Sequence, residues 1–117
     1  MKSEVKQRAY IFSVETIKYI EEETQKRKIS YTMIDQLIRA ATSIGANIVE
    51  AKSASSRKDY IHYFEIALKS ANETKYWLCL FRDAIKCDKT KTEEMIKEAD
   101  EISKMLASSI LTLKGKK

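Results

Sequence analysis

A chain of 117 residues suits one domain with a core of its own, and a core of that size needs neither a disulfide nor a metal to hold it. With 44% hydrophobic and 33% charged residues, it reads as a folded soluble protein rather than a disordered one. Two glycines, no proline and a net charge of +5 argue against a turn-rich β architecture, exclude glycine-rich phosphate loops, and suit an anionic partner.

Four amphipathic segments follow from the spacing of apolar residues. The first runs from about Ser3 to Arg27, with Val5, Ala9, Phe12 and Thr16 on one stripe and Tyr10, Val14 and Ile17 beside it. The second runs from Ser30 or Thr32 to Lys52, and its apolar face holds Ile34, Leu37, Ile38, Ala41, Ile44, Gly45 and Ile48. The third begins near Ser56 and continues to about Lys86, with Ile61, Phe64, Leu68, Ala71, Leu78 and Ile85 toward the core. The fourth opens on Thr90-x-x-Glu93, which spells a capping box, and carries Met95, Ala99, Ile102, Leu106 and Leu113. The breaks between segments are short, and short connections favour antiparallel neighbours. The expected fold is therefore all-α, a single up-down-up-down four-helix bundle over residues 1–117.

That topology sorts the charges. The end holding both termini and the connection between the second and third helices carries nine basic residues: Lys2, Lys6, Arg8, Lys52, Arg57, Lys58, Lys114, Lys116 and Lys117. Only Glu4, Glu50 and Asp59 oppose them there. The other end is near neutral, with Lys26, Arg27, Lys28, Lys86, Lys89 and Lys91 set against Glu21, Glu22, Glu23, Asp83, Asp88, Glu93 and Glu94. Lysines at chain ends are often only solubilising; clustered like this, they also form a phosphate-binding end.

Two helices carry more than one small bundle needs. Tyr76 to Phe81 is apolar all round, and Tyr60, Tyr63, Ala67, Ser70, Trp77, Leu80 and Ala84 form a second flank on the third helix. Surplus apolar surface of this kind marks an interface, and a homo-oligomer is the economical partner. On the second helix, Gln36, Arg39, Ser43, Asn47 and Glu50 make a polar stripe bordered by Ala40, Ala46 and Ala51. Small neighbours let another helix approach that stripe closely.

These residues carry a resemblance. Gln36-Leu37-x-Arg39-Ala40-x-x-Ser43-Ile44-x-x-Asn47-Ile48-x-Glu50, followed by Ile66-Ala67-x-x-Ser70-x-x-Glu73, is similar to the signature of the bacterial four-helix-bundle family of 23S rRNA intervening-sequence proteins. The chain departs from it at Ile38, Gly45 and Ala51, where the family pattern has Arg, Pro and Gly. The resemblance implies an antiparallel bundle that assembles into a ring-like homopentamer. It also implies kinship with the accessory proteins of diversity-generating retroelements, which bind a reverse transcriptase and nucleic acid. In such a ring Tyr63 and Trp77 are expected to pack on a neighbouring subunit, and Arg39 to pair with Glu73 or Glu50, within or between subunits.

The leading expectation is a non-enzymatic, oligomeric, cytoplasmic accessory protein that binds RNA or DNA. Phosphate contacts come from Lys52, Arg57, Lys58, Lys114, Lys116 and Lys117, supported by Lys2, Lys6 and Arg8. The alternative is a protein-binding scaffold, with a reverse transcriptase as one partner and no role for phosphate. A third reading rests on Arg57-x4-His62, which matches the R-x4–6-H spelling of all-helical HEPN-type ribonucleases. A spacing of five sets that pair well apart around a helix, so His62 reads as a surface residue. One His and two Cys lack the spacing of a zinc site, and no cofactor or metal is expected. Cys79 and Cys87 are too far apart along one helix for a disulfide. No apolar run reaches the roughly 20 residues of a membrane span, and no signal-peptide core follows Met1 to Arg8.

Overall fold

The computed structural model describes residues 2–116, and their side chains from residue 4 onward. Four helices make up the fold: α1 (Lys2–Lys26), α2 (Tyr31–Ala51), α3 (Arg57–Asp83) and α4 (Lys89–Leu113). Each packs on two others around a square, with α3 against α2 and α4, and α1 against the same two. The result is an antiparallel bundle measuring 46 × 24 × 19 Å.

The helix boundaries have local causes. Ser30 caps α2 by accepting the Met33 N–H at 3.3 Å, which decides between the two expected starts. Ser56 caps α3 by accepting the Asp59 N–H at 3.0 Å, and the Asp59 carboxylate in turn accepts the Ser55 N–H at 3.3 Å. At α4 the expectation fails. Asp88 is the cap, accepting the Lys91 N–H at 2.9 Å, so Thr90 and Glu93 lie inside the first turns and form no capping box. Aspartate at this position satisfies an orphan N–H at least as well as threonine does.

The third helix also ends earlier than its apolar spacing suggests. Ala84 is its C-cap, and Lys86 turns the chain with φ 68°. The carbonyls of Leu80 and Phe81 are satisfied by the N–H groups of Ala84, Ile85 and Cys87. Cys87 therefore sits in the α3–α4 connection, buried, while Cys79 is half-buried on α3; both are free thiols. The fourth helix closes on a Schellman motif: Lys116 N–H bonds to Leu111 O and Gly115 N–H to Thr112 O, with Gly115 at φ 70°. A left-handed residue at that position suits glycine, which has no Cβ to clash.

The expected stripes meet in the core. Val5, Ala9, Phe12 and Thr16 are buried, and the α1 stripe continues through Tyr19, Ile20 and Glu23. They face Leu37, Ala41, Ile44 and Ile48 from α2, Phe64, Ala71, Leu78 and Phe81 from α3, and Met95, Ala99, Ile102 and Leu106 from α4. Buried hydroxyls return their protons to their own helices: Thr16 to Phe12 O at 2.8 Å and Thr74 to Ser70 O at 2.7 Å. Gly45 lies opposite Ala9, where a Cβ would meet the alanine methyl at 3.5 Å, ordinary van der Waals contact. Helix α2 is unbroken through this position, and the missing side chain keeps the α1–α2 surface shallow there.

A candidate nucleic-acid interface at the basic end

The start of α1, the end of α2, the start of α3 and the end of α4 converge at one end of the bundle. The 53–56 connection and the first two turns of α3 form one wall of an open cleft of about 1090 Å³, and the end of α4 forms the other. Arg57, Lys58, His62, Lys114 and Lys116 all line it. A smaller depression of about 360 Å³ beside it is lined by Lys52, Arg57, Tyr60 and Leu113. Arg57 is common to both.

The cations there have different jobs. The Arg57 guanidinium donates to the Leu113 carbonyl at 2.5 Å. The Lys114 ammonium donates to the Glu65 carboxylate at 2.8 Å. Together these bonds clasp the start of α3 to the end of α4 and give the cleft its shape. The Lys114 hydrogen bond holds the Glu65 carboxyl below its ordinary range. Lys52, Lys58 and Lys116 are exposed and pair with no described carboxylate. Beside Lys52 stands Lys6, and the like charge of Lys52 at close range holds the Lys6 amine below the ordinary lysine value.

The expected cation set is narrowed accordingly. Arg8 is not available, because Glu98 on α4 holds it through two bonds of 2.9 and 2.7 Å. Lys117 and the side chain of Lys2 lie outside the described residues. Glu65 belongs to this end as well, one turn beyond the acids expected there. His62 shares the cleft with Arg57 despite their spacing of five, and its Nδ1 stands 4.0 Å from Glu65 Oε1. Arg57 meanwhile is turned to the α4 carbonyl.

The motif residues on α2 and α3 form a polar link inside the chain. Ser70 donates to Ser43 Oγ at 2.9 Å, and Asn47 Nδ2 donates to Ser43 O and Oγ at 2.8 and 2.9 Å. The helix that approaches this stretch of the α2 polar stripe is thus α3 of the same chain. Within the chain Arg39 pairs with Asp35 at 3.0 Å rather than with Glu50 or Glu73. Glu73 instead accepts the Trp77 indole N–H at 3.1 Å. Gln36 is half-buried and Glu50 exposed, while Tyr63 and Trp77 are half-buried against the core. Tyr76 stands edge-on to Trp77, 61% exposed.

The opposite end holds a cluster that charge counting misses. Glu23, the last of three consecutive acids, is 2% exposed. It faces Arg27 at 3.1 Å and Lys26 at 3.9 Å, and the Arg27 contact is an ion pair without hydrogen-bond alignment. Arg27 also donates to the Lys86 carbonyl at 2.5 Å. Tyr19 bonds to Thr92 at 2.6 Å, and burial drives the Tyr19 phenol upward and the Cys87 thiol up to about 11. The spacing 12–16–19–23 contains the signal, since Glu23 continues the apolar stripe of α1. Among the described residues no group of three metal-ligating side chains occurs, and no helix is long and apolar enough to cross a membrane.

The chain is similar to a protein of unknown function from the S23 ribosomal protein family of Bacteroides thetaiotaomicron, with 38% identity and a TM-score of 0.80 over 91% of this chain and 97% of that one. No curated protein matches it. Residues 1–108 match the pattern of the family described as 23S rRNA-intervening sequence protein. Nearly the whole bundle, including the polar link between Ser43 and Ser70, lies in that match, and the chain belongs to this family.

Proposed function

We propose that the protein is a non-enzymatic, oligomeric accessory of a ribonucleoprotein, binding RNA or DNA through the phosphates at its basic end. The observation that supports this is the gathering of Lys52, Lys58 and Lys116 around a cleft whose other cations are already used to hold it open. Exposed lysines contact phosphate at little desolvation cost, and each one that does so releases counterions. Among the described residues all four helices are part of the bundle and none stands out to read bases, so binding at this cleft is of low sequence specificity. In a cyclic assembly, such as the homopentamer implied by the family resemblance, the basic ends lie on one face and their charges add.

Salt-titrated binding to a structured RNA tests the reading. The triple variant Lys52→Gln, Lys58→Gln, Lys116→Gln should flatten the dependence of log K on log salt by about 2 to 3, at roughly 0.7 to 0.9 per lost phosphate contact. A slope unchanged by the three substitutions counts against the cleft. A second reading, a protein-binding scaffold with a partner such as a reverse transcriptase, draws on the exposed Ile11, Tyr76 and Leu111. Absence of any RNA binding at low salt favours that scaffold, and the native mass reports whether a ring forms.

A further inference from the structure

One groove stands apart from the basic cleft and has no role so far. It runs between α1 and α2, encloses about 600 Å³, and is lined mainly by apolar surface from Tyr10, Gly45, Ala46 and Val49. That volume is in the range of pockets that hold one small organic group, roughly 300 to 1,000 Å³. Its floor is low because Gly45 and Ala46 carry almost no side chain there. Its wall includes the Tyr10 side chain, which is 69% exposed. Lys6 lines the same groove at the end nearer the basic cleft.

We propose that this groove is a nucleotide subsite: it takes the base of one unpaired nucleotide stacked on Tyr10, with the adjoining phosphate between Lys6 and Lys52. The inference rests on the phosphate-binding reading above and extends it from charge to base. Charge complementarity selects the occupant. Lys6 lines the groove and Lys52 the neighbouring depression, two like charges side by side, and neither forms an ion pair with a described carboxylate. A phosphate between them removes that conflict, which a purely apolar helix from another chain does not.

The polar groups of the groove fit a tolerant base site. Ser13 donates its hydroxyl proton to Ala9 O at 3.2 Å, and Thr42 donates to Ile38 O at 2.7 Å. Their oxygens are left as acceptors only. Gln7, exposed at the groove, has both a donor and an acceptor to present to a base edge. Stacking then supplies most of the affinity, and stacking accepts every base because each has a π face.

Anisotropy with two labelled probes tests this: a short single-stranded oligoadenylate and a blunt RNA duplex of the same length, both at low salt. Tyr10→Ala and Ala46→Leu, both at exposed positions, should each weaken the single strand about five-fold or more. Both should leave the duplex within about two-fold. Lys6→Gln should weaken both probes. The subsite is overturned if the single strand is indifferent to Tyr10→Ala and Ala46→Leu, or if the duplex loses as much as the single strand. It is also overturned if Ala46→Leu changes the native mass, since a second copy then covers the groove. If the unaltered protein binds neither probe, the phosphate reading itself falls and takes the subsite with it.

Discussion

The two ends of the bundle use charge in opposite ways. At the end formed by the close of α1 and the α3–α4 connection, ions are drawn inward. Glu23 is buried, Arg27 spans from it to the Lys86 carbonyl, and Tyr19, Thr92 and Cys87 fill the space beneath. At the other end Lys52, Lys58 and Lys116 stand in water, while Arg8, Arg57 and Lys114 are tied to the fold. A buried ion has given up its hydration and depends on its partner. An exposed lysine keeps its hydration and remains free to meet a phosphate. The closed end is thus built for cohesion and the open end for contact, although both are made from the same residue types.

Substitutions sharpen that contrast. The largest effect is expected at Glu23: Glu23→Ala strips a partner from Arg27 and opens a buried site, at about 2 to 3 kcal/mol in urea denaturation. The matched change at the open end, Glu65→Ala, should cost about 0.5 kcal/mol or less, because that pair is bathed in solvent. Equal losses at the two sites would erase the distinction.

A smaller difference separates the cations within the open end. Arg57→Gln loses the bond to the Leu113 carbonyl and should lower stability by about 0.5 to 1 kcal/mol. Lys58→Gln should leave the melting temperature unchanged and weaken nucleic-acid binding instead. Measuring both properties on both variants tells the clasp from the contact.

The smallest effect is expected on acidification. Lys114 holds Glu65 below its ordinary value of 4.5, and Lys75 and Lys104 hold Asp100 below its ordinary 3.8. A folded-state pKa below the unfolded one stabilises the protein above the unfolded value, and the contribution is lost as pH falls through the folded value. Melting temperature should therefore decline as pH drops below about 4.5. Lys114→Gln should shallow that decline, and an unaltered profile would show that the pair adds nothing to the clasp.

Much of this was readable in the sequence. Four helices, their antiparallel order and the basic end all follow from apolar spacing and short connections. The Ser30 and Ser56 caps lie where those signals put helix starts. What escaped is instructive in kind. Asp88 outranked the Thr90 spelling because a cap depends on where the chain turns, and Lys86 sets that turn by adopting a left-handed conformation. Within Glu21-Glu22-Glu23 composition does not distinguish Glu23, since it hides which of three neighbours falls on the buried stripe. The engagement of Arg8 by Glu98, and of Ser43 by Ser70, depends on pairs 90 and 27 residues apart. Periodicity along one helix carries no information about such partners.

The antiparallel order has a consequence for the field at the basic end. Two helices begin there and two finish there, so the roughly half-unit charges of opposite sign at helix starts and finishes largely cancel. The backbone therefore lends that surface almost no standing attraction for anions. Whatever potential it has is carried by side chains alone, chiefly primary amines, and is removable one amine at a time. Acetylation of the untied lysines, Lys52, Lys58 and Lys116, would leave the clasp intact and lower the potential in proportion to the number modified, as a dimmer and not as a switch.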